Sequence, residues 1–201
     1  KDKKILGDKI KLIATSWSGN IKKGFDIYEW LDYNLDFNKY EMTFVGNSPI
    51  KFKNIILLSP INSNNLSNEL RKNDIFIFAS KTESCSNSLL EALHCGLPSI
   101  GFNSTSMPQI INKGGELFNR KEEIPNILTK IVNNYEYYVN NIILPNIDDI
   151  GKEYFSFCKK IKEDNKYKEF GKISFIGNLL YIKFIFIFKL LYMKFKRIFL
   201  K

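Results

Sequence analysis

The sequence predicts an α/β domain built on a doubly wound parallel sheet, followed by C-terminal helices. Three observations carry this prediction. Short apolar runs at 9–16, 40–45, 54–59, 74–79, 98–102 and 116–118 alternate with segments whose apolar residues recur at helical spacing. The connections are short, as in parallel strands joined by crossover helices. In the strand segment 74–79, the residues Ile75-Phe76-Ile77-Phe78-Ala79 are apolar without alternation, which marks a strand covered on both faces.

Each element has a local cause. The first strand, 9–16, ends at a Gly19-Asn20 turn. Phe25, Ile27, Tyr28 and Leu31 then recur at helical spacing across 24–35. The second strand stops at Gly46-Asn47-Ser48-Pro49, and Pro60 closes the third. A short helix at 65–71 precedes the continuous apolar strand. A helix over 86–95 starts at Ser86 or Ser88, either of which suits an N-cap, and stops at Gly96-Leu97-Pro98. Further helices are expected at 107–112, 121–133 and 147–161. The loops holding Gly19–Gly24, 46–49 and 80–87 all follow strands, so they share the rim where such sheets bind ligands.

Composition narrows the function. The chain has 201 residues, 44% hydrophobic, with 17 Phe, which is ample for a core. It has three cysteines without metal-ligand spacing, read as free thiols in a reducing compartment. Its one histidine, His94, nearly excludes a Ser-His-Asp triad or a His pair. Asp148-Asp149 opens a helix, where acids are favoured, and is not read as a metal site. Cys85 has no base nearby in sequence and reads as a small space-filling residue. The chain opens on Lys1-Asp2-Lys3-Lys4 and enters a strand almost at once, as expected of a segment of a longer protein or of a shortened one.

Charge is uneven. Residues 165–201 hold nine Lys or Arg against the single acid Glu169, giving +8 of the total +9 and leaving +1 for 1–164. The expected organisation is therefore one domain over 1–164 and a basic tail over 165–201. On a helical projection Lys183, Lys194, Arg197 and Lys201 share one side, widened by Lys189 and Lys196. Phe184, Phe188, Leu191, Phe195, Ile198 and Phe199 fill the other. The longest uncharged run, 173–182, is too short to span a bilayer. Such a helix suits an anionic membrane surface, through 173–201, or packing on a second domain of the same protein. Nucleic acid is not expected, because the aromatics point away from the lysines.

The segment carrying chemistry is Glu83-Ser84-Cys85-Ser86-Asn87-Ser88-Leu89-Leu90-Glu91. Two glutamates flank seven residues, the first in a polar loop and the second within the next helix. The helix N-terminus between them is an anion site. Each carboxylate can accept paired hydrogen bonds from a vicinal diol.

This block resembles the Glu-(seven residues)-Glu signature of the retaining, nucleotide-sugar-dependent glycosyltransferases of family 4, which have the GT-B fold. Lys23-Gly24 resembles the family's first-loop Lys-Gly. Phe44-Val45-Gly46, Asn73–Ser80, Met107-Pro108-Gln109 and Gly114–Phe118 resemble further family segments in the family's order, so the likeness covers about 9–135. It implies the C-terminal, donor-binding half of the enzyme. Glu83 would hold the donor sugar. Lys23, with Lys22 beside it, would bind the diphosphate together with Ser86, Asn87, Ser88 and Leu89 at the helix start. Glu91 would bind the ribose, and Gly46 with the 59–63 loop would flank the base. Three positions depart from the family: Ser18 stands where an arginine is usual, Ser84 where a glycine is common, and Gln109 where a glutamate is frequent. The resemblance implies transfer with retention, with no metal or other cofactor, and the acceptor is expected to be a glycan or lipid-linked. The basic tail adds the expectation of a peripheral position at the cytoplasmic face of the membrane. A non-catalytic nucleotide-sugar-binding or membrane-docking module is the alternative. A doubly wound regulatory domain would need an acidic pocket, which Ser16-Trp17-Ser18 does not offer.

Overall fold

Six strands form one sheet in the computed structural model, which describes residues 6–163. They are β1 (Ile10–Ser16), β2 (Tyr40–Gly46), β3 (Ile56–Leu58), β4 (Ile75–Phe78), β5 (Ser99–Phe102) and β6 (Gly115–Phe118). Their order is β3-β2-β1-β4-β5-β6, and every pairing is parallel. The winding reverses between β1 and β4.

Helices cover both faces. Along β1 and β4, Leu12, Ala14, Ile75, Ile77 and Ala79 point to one side, where they pack with α1 (Phe25–Asn34), α5 (Ile124–Asn133) and α6 (Tyr135–Asn140). Ile13, Phe76 and Phe78 point to the other, against α2 (Ser63–Lys72), α3 (Asn87–His94) and α4 (Met107–Ile111). This alternation of buried residues is why the run 75–79 is apolar at every position.

Two differences from the sequence expectation have physical causes. Strand β3 begins at Ile56, not residue 54, because the buried Asp32 carboxylate captures the preceding main chain. It accepts from the N–H groups of Lys53, Asn54 and Ile55 at 2.7, 2.8 and 2.7 Å. Helix α6 was not expected in the Asn- and Tyr-rich stretch after residue 133. Its Tyr135 hydroxyl donates to the Asp74 carbonyl at 2.9 Å, and its Tyr138 hydroxyl donates to the Glu116 carboxylate.

The chain divides into two compact units, Lys1–Leu144 and Pro145–Lys201. The second contains α7 (Ile147–Glu163), with Asp148 and Asp149 in its first turn and Lys160 and Lys162 in its last, matching the helix dipole. The basic tail expected at 165–201 lies outside the described residues. Among the described residues, no helix is long and apolar enough to cross a membrane.

Candidate functional site

The site is built where the winding reverses. Pairing between β1 and β4 covers only Leu12 with Ile75 and Ile13 with Phe76, so the carboxyl ends of the two strands are unpaired with each other. A cavity of about 200 Å³ lies there, lined by residues of both strand ends, of the 80–86 loop and of the start of α3. Crevices of this kind, beyond the carboxyl ends at a reversal of strand order, are where doubly wound sheets hold ligands.

Lys23 reaches the cavity because of Gly24. A 3-10 turn (Ile21–Lys23) leads into α1, and Gly24 between them has φ +83°, a left-handed conformation that favours glycine. The turn is capped by Asn20, whose side chain accepts from the Lys22 N–H at 3.0 Å. Tyr28 then ties α1 to β4. Its buried hydroxyl accepts from the Ala79 N–H at 3.1 Å and donates to the Ile77 carbonyl at 3.3 Å. Burial drives the Tyr28 phenol far above its usual pKa, so it stays neutral.

Glu83 meets Lys23 in a half-buried ion pair. The Glu83 loop is fastened from its other side by residues after β5. The Thr105 hydroxyl donates to the Glu83 carbonyl, the Ser106 hydroxyl approaches it at 3.4 Å, and the Ser104 hydroxyl donates to the Lys81 carbonyl at 2.8 Å. Lys81 also pairs with Asp26 of α1 at 2.7 Å. Thr105 holds φ at +49°, an unfavourable conformation for a β-branched residue. Nothing in the sequence singled out Ser104, Thr105 or Ser106. They lie in a polar loop, and only the fold brings them to Glu83.

Of the two serines suited to cap α3, Ser86 does so. Its buried hydroxyl accepts from the Leu89 N–H at 3.3 Å and lies 2.9 Å from the Ser88 hydroxyl. The Leu89 N–H is thereby engaged by the cap. The N–H groups of Asn87 and Ser88, in the first turn, have no intrahelical acceptor and face the anion-binding end of the helix.

Asn87 also borders a second, larger hollow of about 390 Å³ between α2 and α3. Glu91 lines it one turn along from Asn87, with Ser63, Leu66 and Leu90. Partial burial lifts the Glu91 carboxyl above the usual carboxylate range. His94 ends α3 exposed, on the edge of the same hollow.

The fold thus gathers Lys23, Glu83, Ser86, Asn87 and Ser88 on one cavity and puts Glu91 in the adjoining one. Lys22 is exposed and lines neither. Gly46 is buried at φ +130°, where a Cβ would fall 1.9 Å from the Ser16 carbonyl oxygen, so it serves the close approach of β2 to β1. All three cysteines are free. Among the described residues, no three His, Cys, Asp or Glu side chains gather as a metal site.

In fold the chain is a doubly wound, Rossmann-like α/β domain with a six-stranded parallel sheet, like the domains of GT-B glycosyltransferases. Residues 36–135 match the model of the family described as glycosyl transferases group 1. No curated protein matches the chain. Among solved structures, it is similar to sucrose-phosphate synthase from Thermosynechococcus elongatus, with 12% identity and a TM-score of 0.61 over 80% of this chain and 47% of that one. It is similar to the C-terminal domain of the glycosyl transferase group 1 family protein LpcC from Francisella tularensis, with 19% identity and a TM-score of 0.54 over 75% and 88%. A third likeness is to HepE from Anabaena in complex with UDP-glucose, with 14% identity and a TM-score of 0.57 over 67% and 43%. At these identities the likeness is one of fold. The chain spans about half the length of the sucrose-phosphate synthase structure.

Proposed function

We propose that this chain is the donor-binding half of a retaining glycosyltransferase that moves a sugar from a nucleoside diphosphate to a glycan or lipid-linked acceptor. The observation that carries the reading is the meeting of Lys23 and Glu83 on a cavity that also holds the N-terminus of α3. A nucleotide sugar needs three kinds of contact at fixed spacing, and the residues supply them in sequence. Glu83 accepts hydrogen bonds from sugar hydroxyls. Lys23 and the first N–H groups of α3 take the diphosphate. Glu91, beyond Asn87, accepts from the ribose diol. That HepE was solved with UDP-glucose supports a nucleotide sugar as the ligand class.

The chemistry asked of these residues is electrostatic. As the sugar–phosphate bond breaks, negative charge grows on the departing diphosphate, and Lys23 and the α3 dipole stabilise it. Glu83 fixes the sugar's orientation as this happens. The Lys23–Glu83 pair exchanges partners when donor arrives, Lys23 turning to phosphate and Glu83 to hydroxyls. No metal or other cofactor takes part in this scheme. The basic sequence of 165–201 supports a peripheral position at the cytoplasmic face of a membrane.

Calorimetric titration of the chain with UDP, GDP and ADP tests the reading. One nucleotide binds at micromolar concentration, and Glu91→Ala weakens it by at least about tenfold, as expected for losing hydrogen bonds to a charged acceptor. Failure of all three nucleotides to bind would sink it. Ser18, standing where a second cation is usual, favours one other reading, a nucleotide-sugar-binding module without transfer. In that case nucleotide still binds and Lys23→Ala still weakens it, but no sugar is transferred when an acceptor-binding half is supplied.

A further inference from the structure

We infer that Thr15 and Ser80 are diphosphate-binding residues, contacting the donor through hydroxyls that the folded chain leaves without partners. The inference rests on the donor site proposed above and adds two residues to it.

Thr15 is 8% exposed and Ser80 3%. Among the described residues, Thr15 Oγ1 and Ser80 Oγ are the buried side-chain polar atoms with no hydrogen-bond partner. Buried hydroxyls are ordinarily satisfied, and one that is not weakens the fold. Both orphans belong to the same place. Thr15 is near the end of β1 and Ser80 follows β4, the neighbouring strands whose pairing stops at Ile13 and Phe76. Both residues line the 200 Å³ cavity that also holds Lys23 and the start of α3. Two independent defects in hydrogen bonding thus coincide at the reversal of winding, where doubly wound sheets hold phosphate-bearing ligands.

The charge balance says what the hydroxyls are for. The one cation lining this cavity, Lys23, is paired with Glu83, and position 18 on its rim is serine. A diphosphate held here needs further donors, and they must be neutral. Phosphate oxygens only accept, and a threonine or serine hydroxyl can turn its hydrogen to them. Sugar hydroxyls are already matched by the Glu83 carboxylate, an acceptor.

Thr15→Val and Ser80→Ala remove each hydroxyl at nearly constant shape. The full chain and each variant are titrated with the nucleoside diphosphate that the wild type binds, the matching nucleoside and the matching nucleotide sugar. Each variant is expected to lose about tenfold in diphosphate affinity, lose the same factor for the nucleotide sugar, and bind the nucleoside as the wild type does. Without ligand each melts at or above the wild-type temperature, since an unsatisfied polar group has gone. Thr15→Ser keeps the hydroxyl and retains wild-type affinity, which separates loss of the donor from loss of packing. Unchanged diphosphate binding in Thr15→Val and Ser80→Ala would overturn the inference while leaving the donor site standing. A loss seen only with the nucleotide sugar, or an equal loss with the nucleoside, would overturn it as well. A wild-type chain that binds no nucleoside diphosphate removes the donor site and this inference together.

Discussion

Gly24 lies so close to Ala79 that a Cβ built on it would fall 2.1 Å from the Ala79 carbonyl oxygen. The start of α1 therefore rests directly on the end of β4, and Lys23 is delivered to the Glu83 loop. Gly24→Ala must separate the two segments and also hold alanine at positive φ. The expected cost is about 3 kcal/mol or more, read from a urea denaturation midpoint. Nucleotide affinity should fall with it.

Tyr28→Phe keeps the ring packed against Phe25 and Phe44 but deletes a hydroxyl with two buried main-chain partners. The Ala79 N–H is left unpaired. A loss of about 1–3 kcal/mol follows, with an unchanged denaturant slope showing that the cost lies in the folded state.

Thr105 is a positioning residue for Glu83, since its hydroxyl binds the Glu83 carbonyl. Thr105→Ala should weaken binding of the nucleotide sugar several-fold while leaving the nucleoside diphosphate unaffected. Equal weakening of both ligands in a titration would mean that Thr105 only supports the loop's fold.

Glu91 gives the site a pH signature. Burial raises its carboxyl pKa, so between the ordinary carboxylate value and the raised one the folded chain binds more protons than the unfolded chain. Its contribution to stability therefore falls as pH rises through that window. Glu91→Gln removes the titration. It should be more stable than the wild type at neutral pH, converge with it in acid, and bind nucleotide less well. Denaturation midpoints across a pH series read the first two effects, and a nucleotide titration reads the third.

What the sequence made legible was whatever local pattern determines. The run 75–79 is apolar at every position because both faces of β4 are covered, so the local pattern alone gave its place. Glu83, Glu91 and Lys23 were singled out because they sit in ordered motifs. The start of β3 was misjudged because Asp32, more than twenty positions away, takes three main-chain N–H groups that propensity would give to a strand. Helix α6 was missed because Tyr135 and Tyr138 earn their place through Asp74 and Glu116, distant in sequence. Gly46 also has a steric duty beside Ser16, which depends on the pairing of β1 with β2 and so is invisible in the local sequence. Ser104, Thr105 and Ser106 carried no signal, since a short polar stretch after a strand reads the same whether or not it braces another loop.

The 80–86 loop is held by Lys23, Asp26, Ser104, Thr105 and Ser106 before any ligand arrives. Its conformational freedom is surrendered during folding, so little ordering entropy remains to oppose association. The same rigidity has a second face. A loop tied down at its main-chain carbonyls does not remodel around a poorly fitting ligand, so under the proposed donor-binding reading any selectivity between sugars comes from a fixed mould and not from induced fit.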